Sequence, residues 1–149
     1  MKVTGKYTII GTDIRTGESE VIEQNNMILD GALNYVASTT GPRSIRSYAT
    51  AMFLGTSDEP VQPSDLGIKG VVIAQADQNT ILEETEYDSG QLQGQYKLKR
   101  KFTFLASDTE TGIVKEVFVG IPSEAVWRVS RVVLDTPIEK HEFMQLDII

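Results

Sequence analysis

The chain has 149 residues, 40% of them apolar, with 12 glycines and no cysteine, which suits one globular domain. Without cysteine there are no disulfides, thiolate metal sites or cysteine nucleophiles, and the single histidine, His141, excludes a site built from two imidazoles of one chain. The formal charge of -7 argues against nucleic acid as a partner, because phosphate binding needs a basic surface.

The chain also has no segment of the kind that membranes require. A membrane-spanning helix needs ~20 consecutive apolar residues, and the longest apolar runs here are short. The first residues contain no apolar core of a secretory signal. We therefore expect neither membrane insertion nor a secretory leader.

The first half of the chain predicts a hairpin and then a helix. Strands over residues 6–10 and 20–24 flank an Arg-Thr-Gly-Glu turn at residues 15–18. A helix is predicted from Asp30, which can cap it, since Leu33, Val36 and Ala37 share one helical face, and it ends within residues 38–42, where Gly41 and Pro42 stop it. A second short turn, capped by Ser64, is predicted over residues 63–66.

The second half alternates with period two and predicts strands. A strand over residues 80–87 and a long strand over 91–106, bulged near Gly94, form a hairpin around Asp88-Ser89-Gly90. Residues 102–105 and 114–119 are predicted as the next hairpin, followed by strands over 127–133 and 140–149 with Pro137 at the corner between them. Strands this short and this many are typical of a β-sandwich or a β-barrel. We predict a mainly β fold, a single antiparallel β-sandwich domain of seven or eight strands with one short α-helix packed on it.

The search for catalytic chemistry finds no standard motif. There is no Gly-x-Ser-x-Gly elbow, no phosphate-binding loop and no His-Glu-x-x-His helix. His141 and the acids of residues 83–88 suit solvated strand positions better than a triad or a hydrolytic pair. Calcium at Ser57-Asp58-Glu59 or at Asp108-Thr109-Glu110 stays a weak alternative. We predict no enzyme and no cofactor.

Three segments in order resemble a family of tailed-bacteriophage virion proteins of tail fibres, baseplates and tail-tip adhesins. In the family they read as a strand entering a helix, a Gly-Thr strand end before a proline loop, and strands ending in Pro-Ile-x-Lys. Here they are residues 23–37, residues 52–66, and residues 101–104, 112–117, 131 and 137–140. The resemblance spans about residues 20–149 of this chain.

The resemblance implies a structural part of the virion tail, made in the host cytoplasm, that docks with other tail proteins and with copies of itself in a ring or trimer. Residues 1–24 are expected to form an extra hairpin that contacts a partner. Alternatives are a capsid-surface or head–tail joining protein, and an adhesin domain that binds a host-surface glycan. The predicted interface residues are basic or aromatic: Lys97, Lys99 and Lys101 on one strand face, and Arg43, Arg46 and Tyr48 in a loop.

Overall fold

The computed structural model describes residues 5–30, 51–77, 80–85, 97–106, 112–120 and 128–149. These residues contain nine β-strands, and the predicted mainly β class is confirmed. In chain order the strands are β1 (Gly5–Asp13), β2 (Ser19–Ile28), β3 (Ala51–Gly55), β4 (Val72–Asp77), β5 (Thr80–Thr85), β6 (Lys97–Phe104), β7 (Gly112–Gly120), β8 (Arg128–Lys140) and β9 (Met144–Ile148).

All nine strands belong to one antiparallel sheet with the order β4-β3-β7-β8-β2-β1-β9-β6-β5. The sheet curls until β4 approaches β6, so that it is nearly closed. The β1–β2 hairpin lies in the middle of the order, between β8 and β9. Residues 5–24 are therefore part of the sheet itself, and their contact with a partner stays a prediction.

The core lies inside the curl and is built by alternation along the strands. Ile9 of β1, Phe104 of β6 and Leu146 of β9 are each at most 1% exposed. Leu54 of β3 and Ile73 of β4 join the same apolar cluster, although these strands stand at the other end of the sheet order. Burying a side chain of this size stabilises the fold by ~1.5–3 kcal/mol, so the shared core holds the curl.

Two of the predicted hairpins are confirmed. The turn between β1 and β2 contains Gly17 at φ 78°, a left-handed conformation that favours glycine. Its N–H donates to the Asp13 carbonyl at 2.7 Å. Strands β5 and β6 also pair antiparallel, as the break at residues 88–90 predicted. Residues 86–96, with the predicted bulge at Gly94, lie outside the described residues.

The predicted pairing of residues 102–105 with 114–119 is wrong. Strand β6 pairs with β5 and β9, whereas β7 pairs with β3 and β8. Phe102 stands opposite Ile148, and Phe104 stands opposite Leu146. A polar turn predicts that the chain reverses, but the strand that offers the matching apolar face decides the pairing.

The predicted corner at Pro137 does not end a strand. Strand β8 runs 13 residues through this proline, and the turn to β9 falls later, at residues 141–143. The β7–β8 register jumps from Glu116↔Val133 to Val114↔Ile138, so Pro137 lies in a bulge. Proline has no N–H, and a bulge is where a strand tolerates that loss.

The structure describes one of the two predicted helical features. Beyond Asp30, the predicted helix lies outside the described residues. The short turn is a β-turn over Gln62–Asp65, in which the Asp65 N–H donates to the Gln62 carbonyl at 3.0 Å. The Asp65 carboxylate in turn accepts the Gln62 N–H at 3.0 Å, so Asp65, not Ser64, supplies the capping oxygen.

Candidate functional site

Strands β2 and β8 separate along part of their length. Their ladder consists of Met27↔Arg131 and Ile28↔Ser130. Beyond it the Gln24 side chain bridges them: its Nε2 donates to the Val133 carbonyl, and its Oε1 accepts the Asp135 N–H at 3.0 Å. From Gln24 back to Ser19, β1 is the one strand paired with β2 among the described residues. The sheet therefore has a split next to β2.

A groove of about 460 Å³ lies at this split. Volumes of this order are typical of sites that hold a small molecule or a few side chains. Its floor is apolar and its rim carries three carboxylates. We call it the split groove: the floor is Ile9, Gly11, Ile22, Ile138 and Met144, and the rim is Asp13, Glu18, Ser19 and Glu20.

The alternation of β1 and β2 explains this gradient from apolar to acidic. On the inward face, β1 runs from Ile9 through Gly11 to Asp13, and Glu20 stands opposite Gly11 in the register. A Cβ added to Gly11 would meet Leu146 Cδ2 at 3.5 Å, an ordinary van der Waals contact. A larger side chain at this position would therefore lie against Leu146 and Met144 and take up part of the groove.

The rim is negatively charged at neutral pH. The Arg15 guanidinium and the Arg15 N–H both donate to the Asp13 carboxylate at 2.9 Å and lower the pKa of Asp13 to about 2. The same guanidinium lies 4.2 Å above the Phe143 ring, which holds it over the turn. Within the described part of the chain, the carboxylates of Glu18 and Glu20 form no ion pair. Cationic groups are the natural complement of this rim.

A second polar feature, the buried ion cluster, consists of Asp65, Glu116 and Arg131. Glu116 is fully buried on β7. One of its oxygens accepts the N–H groups of Ser57 at 3.1 Å and Gly70 at 2.8 Å. The other accepts the Lys69 N–H at 3.1 Å and the Arg131 Nε at 2.9 Å. The carboxylate therefore has a donor for each of its lone pairs.

Arg131, also fully buried, connects Glu116 to the β3–β4 loop. Its Nη1 donates to Asp65 Oδ2 and to the Glu59 carbonyl, both at 3.0 Å. Burial acts to raise the pKa of Asp65, but the Gln62 N–H and the nearby Lys69 ammonium outweigh it, and the net pKa is lowered. The cluster fastens the loop of residues 56–71 to strands β7 and β8.

The structure describes only some of the predicted interface residues. Lys99 stands opposite Glu83 and Lys97 opposite Thr85 in the β5–β6 register. The Lys101 ammonium lies 3.8 Å from the Asp147 carboxylate of its own sheet and is only partly exposed. Arg43, Arg46 and Tyr48 lie outside the described residues. Their use as an interface stays a prediction.

The weaker chemical candidates have structural roles where they are described. His141 Nδ1 accepts the Phe143 N–H at 3.2 Å within the β8–β9 turn. In the proposed calcium loop, Ser57 Oγ accepts the Glu59 N–H at 3.1 Å. No group of three or more acids or histidines suited to a metal occurs among the described residues. Residues 108–110 lie outside them.

The buried ion cluster was not predicted from the sequence, although its signal is present there. Arg131 is the one charge in the stretch Val129–Val133, and Glu116 shares the strand face of Val114 and Phe118, with Lys115 on the opposite face. Charges in such positions are rarely fully buried unless they are paired. Two opposite charges on neighbouring apolar strands therefore indicate a buried pair.

The chain matches no family model, no curated protein and no solved structure. Among the described residues, no helix has the length and apolar character needed to cross a membrane.

Proposed function

We propose that this protein is a structural component of a bacteriophage tail, a part of a fibre, baseplate or tail tip that acts by docking with other proteins. The split groove carries the proposal. It offers an apolar floor and a charged rim on a curled sheet, which is the pattern of a protein-binding site with apolar centre and polar edge. The tail assignment itself comes from the family resemblance of residues 20–149.

The ionisation of the described acids favours binding over catalysis. A general acid at neutral pH needs a pKa near 7, whereas Asp13 on the groove rim has a pKa of about 2. Glu116 and Asp65 are already occupied by hydrogen bonds that hold the β3–β4 loop. These carboxylates therefore suit structure and charge complementarity.

The proposed partners are other tail proteins and copies of the same chain, arranged with cyclic symmetry in a ring or trimer. We further propose that the two halves of the sheet act as the layers of a sandwich, with the helix predicted from Asp30 packed on it. No cofactor takes part in this proposal. The basic positions Lys97, Lys99, Lys101, Arg43 and Arg46 are offered as contacts to acidic neighbours.

Electron microscopy of purified particles that carry a tagged chain tests the proposal. We expect density in the tail, with copies related by three-, six- or twelve-fold rotation. Copies on the icosahedral lattice, or at the portal vertex, would instead make it a head decoration or head–tail joining protein. A particle without the chain would contradict any virion role.

A glycan array with the purified chain separates the adhesin alternative. A docking component binds none of the glycans at micromolar concentration, whereas an adhesin retains specific ones. The groove-filling variant Gly11→Leu is the matched control, because it keeps the surface charge of the chain. Glycan binding that this variant abolishes would move the proposal from assembly to host attachment.

A further inference from the structure

We infer that strand β2 accepts an extended segment of a partner protein as an added strand at the split, and that this segment carries an apolar residue followed two positions later by Lys or Arg. The inference rests on the proposed docking function and names the chemistry of the partner. It follows from the backbone groups that β2 leaves open, from the reason why β8 leaves them open, and from the side chains of the split groove.

The hydrogen bonds of β1 determine which way the backbone of β2 points. In an antiparallel pair, hydrogen-bonded residue pairs alternate with pairs that are not bonded. The Asp13 N–H donates to the Glu18 carbonyl at 2.9 Å, so Glu20 and every second residue after it also bond to β1. Leu29 shows the other direction, because its N–H donates to the Val129 carbonyl of β8 at 2.9 Å. The odd-numbered residues of β2 therefore direct their backbone groups away from β1 and toward the split.

Val21 and Glu23 are residues whose backbone stays open at the split. In the described part of the chain, neither their N–H groups nor their carbonyls have a hydrogen-bond partner. Val21 is also 62% exposed. An unpaired strand edge is a template for pairing with another chain, and proteins that recognise extended peptides use such an edge. Strand β2 thus offers donors and acceptors at the spacing that an added strand requires.

The neighbouring strand β8 is unable to close this edge. If the β2–β8 register continued, Pro137 would stand opposite Val21. Proline has no N–H to donate, and this one lies in the bulge of β8. Asp135 would stand opposite Glu23, but its N–H already donates to the Gln24 side chain at 3.0 Å. The opening therefore follows from the sequences of β8 and β2.

The split groove determines which side chains the added strand must carry. Residues directly opposite each other in a sheet lie on the same face, with Cβ atoms ~4.5–5.5 Å apart. In a strand added antiparallel, the residue opposite Ile22 enters the groove against Ile22 and Ile138, which are both half-buried. The residue two positions later stands opposite Glu20, whose exposed carboxylate has no ion pair among the described residues. An apolar side chain complements the first position, and Lys or Arg complements the second.

Binding of defined peptides to the full chain tests the inference. The probe is the capped peptide Thr-Val-Thr-Val-Thr-Arg-Thr-Lys-Thr, and the matched control has Glu in place of its Arg and Lys. In isothermal titration calorimetry, the basic peptide is expected to bind at least about tenfold more tightly than the acidic one. Amide hydrogen exchange followed by NMR is expected to show that the N–H groups of Val21 and Glu23 exchange more slowly in the complex, because the peptide backbone then accepts them.

Two variants locate the binding on β2. Val21→Pro removes an N–H that points to the split and does not bond to β1, a position at which a strand tolerates proline. It is expected to bind the basic peptide at least about tenfold more weakly than the wild type, whereas Val21→Thr, which keeps the N–H, binds as the wild type does. Glu18→Lys/Glu20→Lys is expected to reverse the preference and bind the acidic peptide more tightly. Thermal unfolding checks that each variant is folded, and the charge exchange decides the matter if Val21→Pro is not.

The outcomes separate the inference from the proposed function. No binding of the basic peptide up to millimolar concentration, or equal binding of both peptides, overturns the inference and leaves docking through another surface. Slow exchange of the Val21 amide in the peptide-free monomer also overturns it, because another part of the chain then covers the edge. Slow exchange that appears only as copies associate overturns it in favour of a second copy as the occupant. Absence of the chain from particles overturns the function whatever the peptides show.

Discussion

Glu116 and Arg131 are held in the interior by mutual compensation. Two charges withdrawn from water are costly, and their attraction repays the cost only when the remaining hydrogen-bond positions are filled. Here three backbone N–H groups reach Glu116, and Asp65 and the Glu59 carbonyl reach Arg131. Loss of one partner therefore leaves the other charge buried without its counter-charge, at the full cost of desolvation.

Glu116→Gln is expected to lower the free energy of unfolding by about 3 kcal/mol, since breaking a buried pair costs 3–5 kcal/mol as a rule and Asp65 still faces Arg131. The new amide also turns N–H groups toward the N–H donors of the loop. Urea denaturation measures the change. The exposed Glu139→Gln is the control, and a change below about 0.5 kcal/mol in Glu116→Gln would contradict the role given to the cluster.

The burial of Tyr7 predicts that the protein loses stability at alkaline pH. Burial raises its pKa from 10.0 to about 12, against the smaller opposing effect of its hydrogen bond with Ser130. The unfolded chain ionises first, so this contribution to stability is complete below pH 10 and is lost as the pH rises to 12. The loss amounts to about 3 kcal/mol at 1.36 kcal/mol per unit.

Tyr7→Phe is the matching variant. At pH 7 it loses about 1 kcal/mol with the hydrogen bond to Ser130. Between pH 10 and 12 its free energy of unfolding is expected to fall less steeply than that of the wild type, because the other tyrosines titrate in both proteins. Equal slopes in chemical denaturation would show that Tyr7 is not protected from ionisation.

For single residues, sequence patterns indicate well on which face of a strand a side chain lies. They indicate poorly which residues that side chain contacts. Ile9, Phe102 and Leu146 follow from alternation alone. Gln24 does not, since a glutamine at an inward strand position has no local sign that it will bridge two strands. Its partners Val133 and Asp135 are more than 100 residues away.

Among the elements, the β3–β4 loop shows how a long connection becomes ordered. The buried carboxylate of Glu116 gathers the N–H groups of the loop, and glycine lets the backbone come close. A Cβ on Gly70 would lie 2.6 Å from the Ser57 nitrogen, a distance that real contacts do not reach. The loop is therefore shaped around Glu116.

Gly70→Ala is expected to destabilise the protein by about 1–3 kcal/mol, because the backbone at Ser57 must move away to admit the methyl group. Ser64→Ala, an exposed change in the same loop, is expected to be nearly neutral. Thermal unfolding of both variants makes the comparison. Equal melting temperatures would mean that the loop does not depend on the close approach at Gly70.

Hairpins with short polar turns, such as β1–β2, could be predicted because the two strands are adjacent in sequence. The pairing of β6 with β9 could not. Its paired residues lie 42 to 46 positions apart in the chain, and the turn predicted at residues 107–112 favoured β7 as the neighbour. Alternation shows that a strand has an apolar face, but it does not show which of several similar strands will pair with it.

For the molecule as a whole, the central position of the β1–β2 hairpin has a direct consequence. Strand β1 separates β2 from β9 in the sheet, and Ile9 belongs to the core. The split groove is lined by residues of both β1 and β2. Removing either β1 or β2 therefore removes part of the sheet itself.

Deletion of residues 1–18 is therefore expected to abolish cooperative thermal unfolding, measured by circular dichroism, because two halves of the sheet lose the strand between them. Thr16→Ala, a change confined to the exposed turn, is the control and should unfold cooperatively. A truncated chain that melts like the wild type would show that β1 is dispensable for the sheet.

The mainly β class of the fold could be anticipated from alternation. The split groove could not, because it depends on where two strands distant in sequence stop pairing. The acids on its rim looked like ordinary turn residues. Only the sheet order brings Ile138 of β8 to face Ile22 of β2 across the gap.

The most direct test of the account is sedimentation velocity of the full wild-type chain over a wide range of concentrations. An assembling tail component is expected to pass from the 16.5 kDa chain to one closed oligomer of defined copy number. A single 16.5 kDa species at every concentration, up to the millimolar range, would contradict a protein built to dock with its own copies.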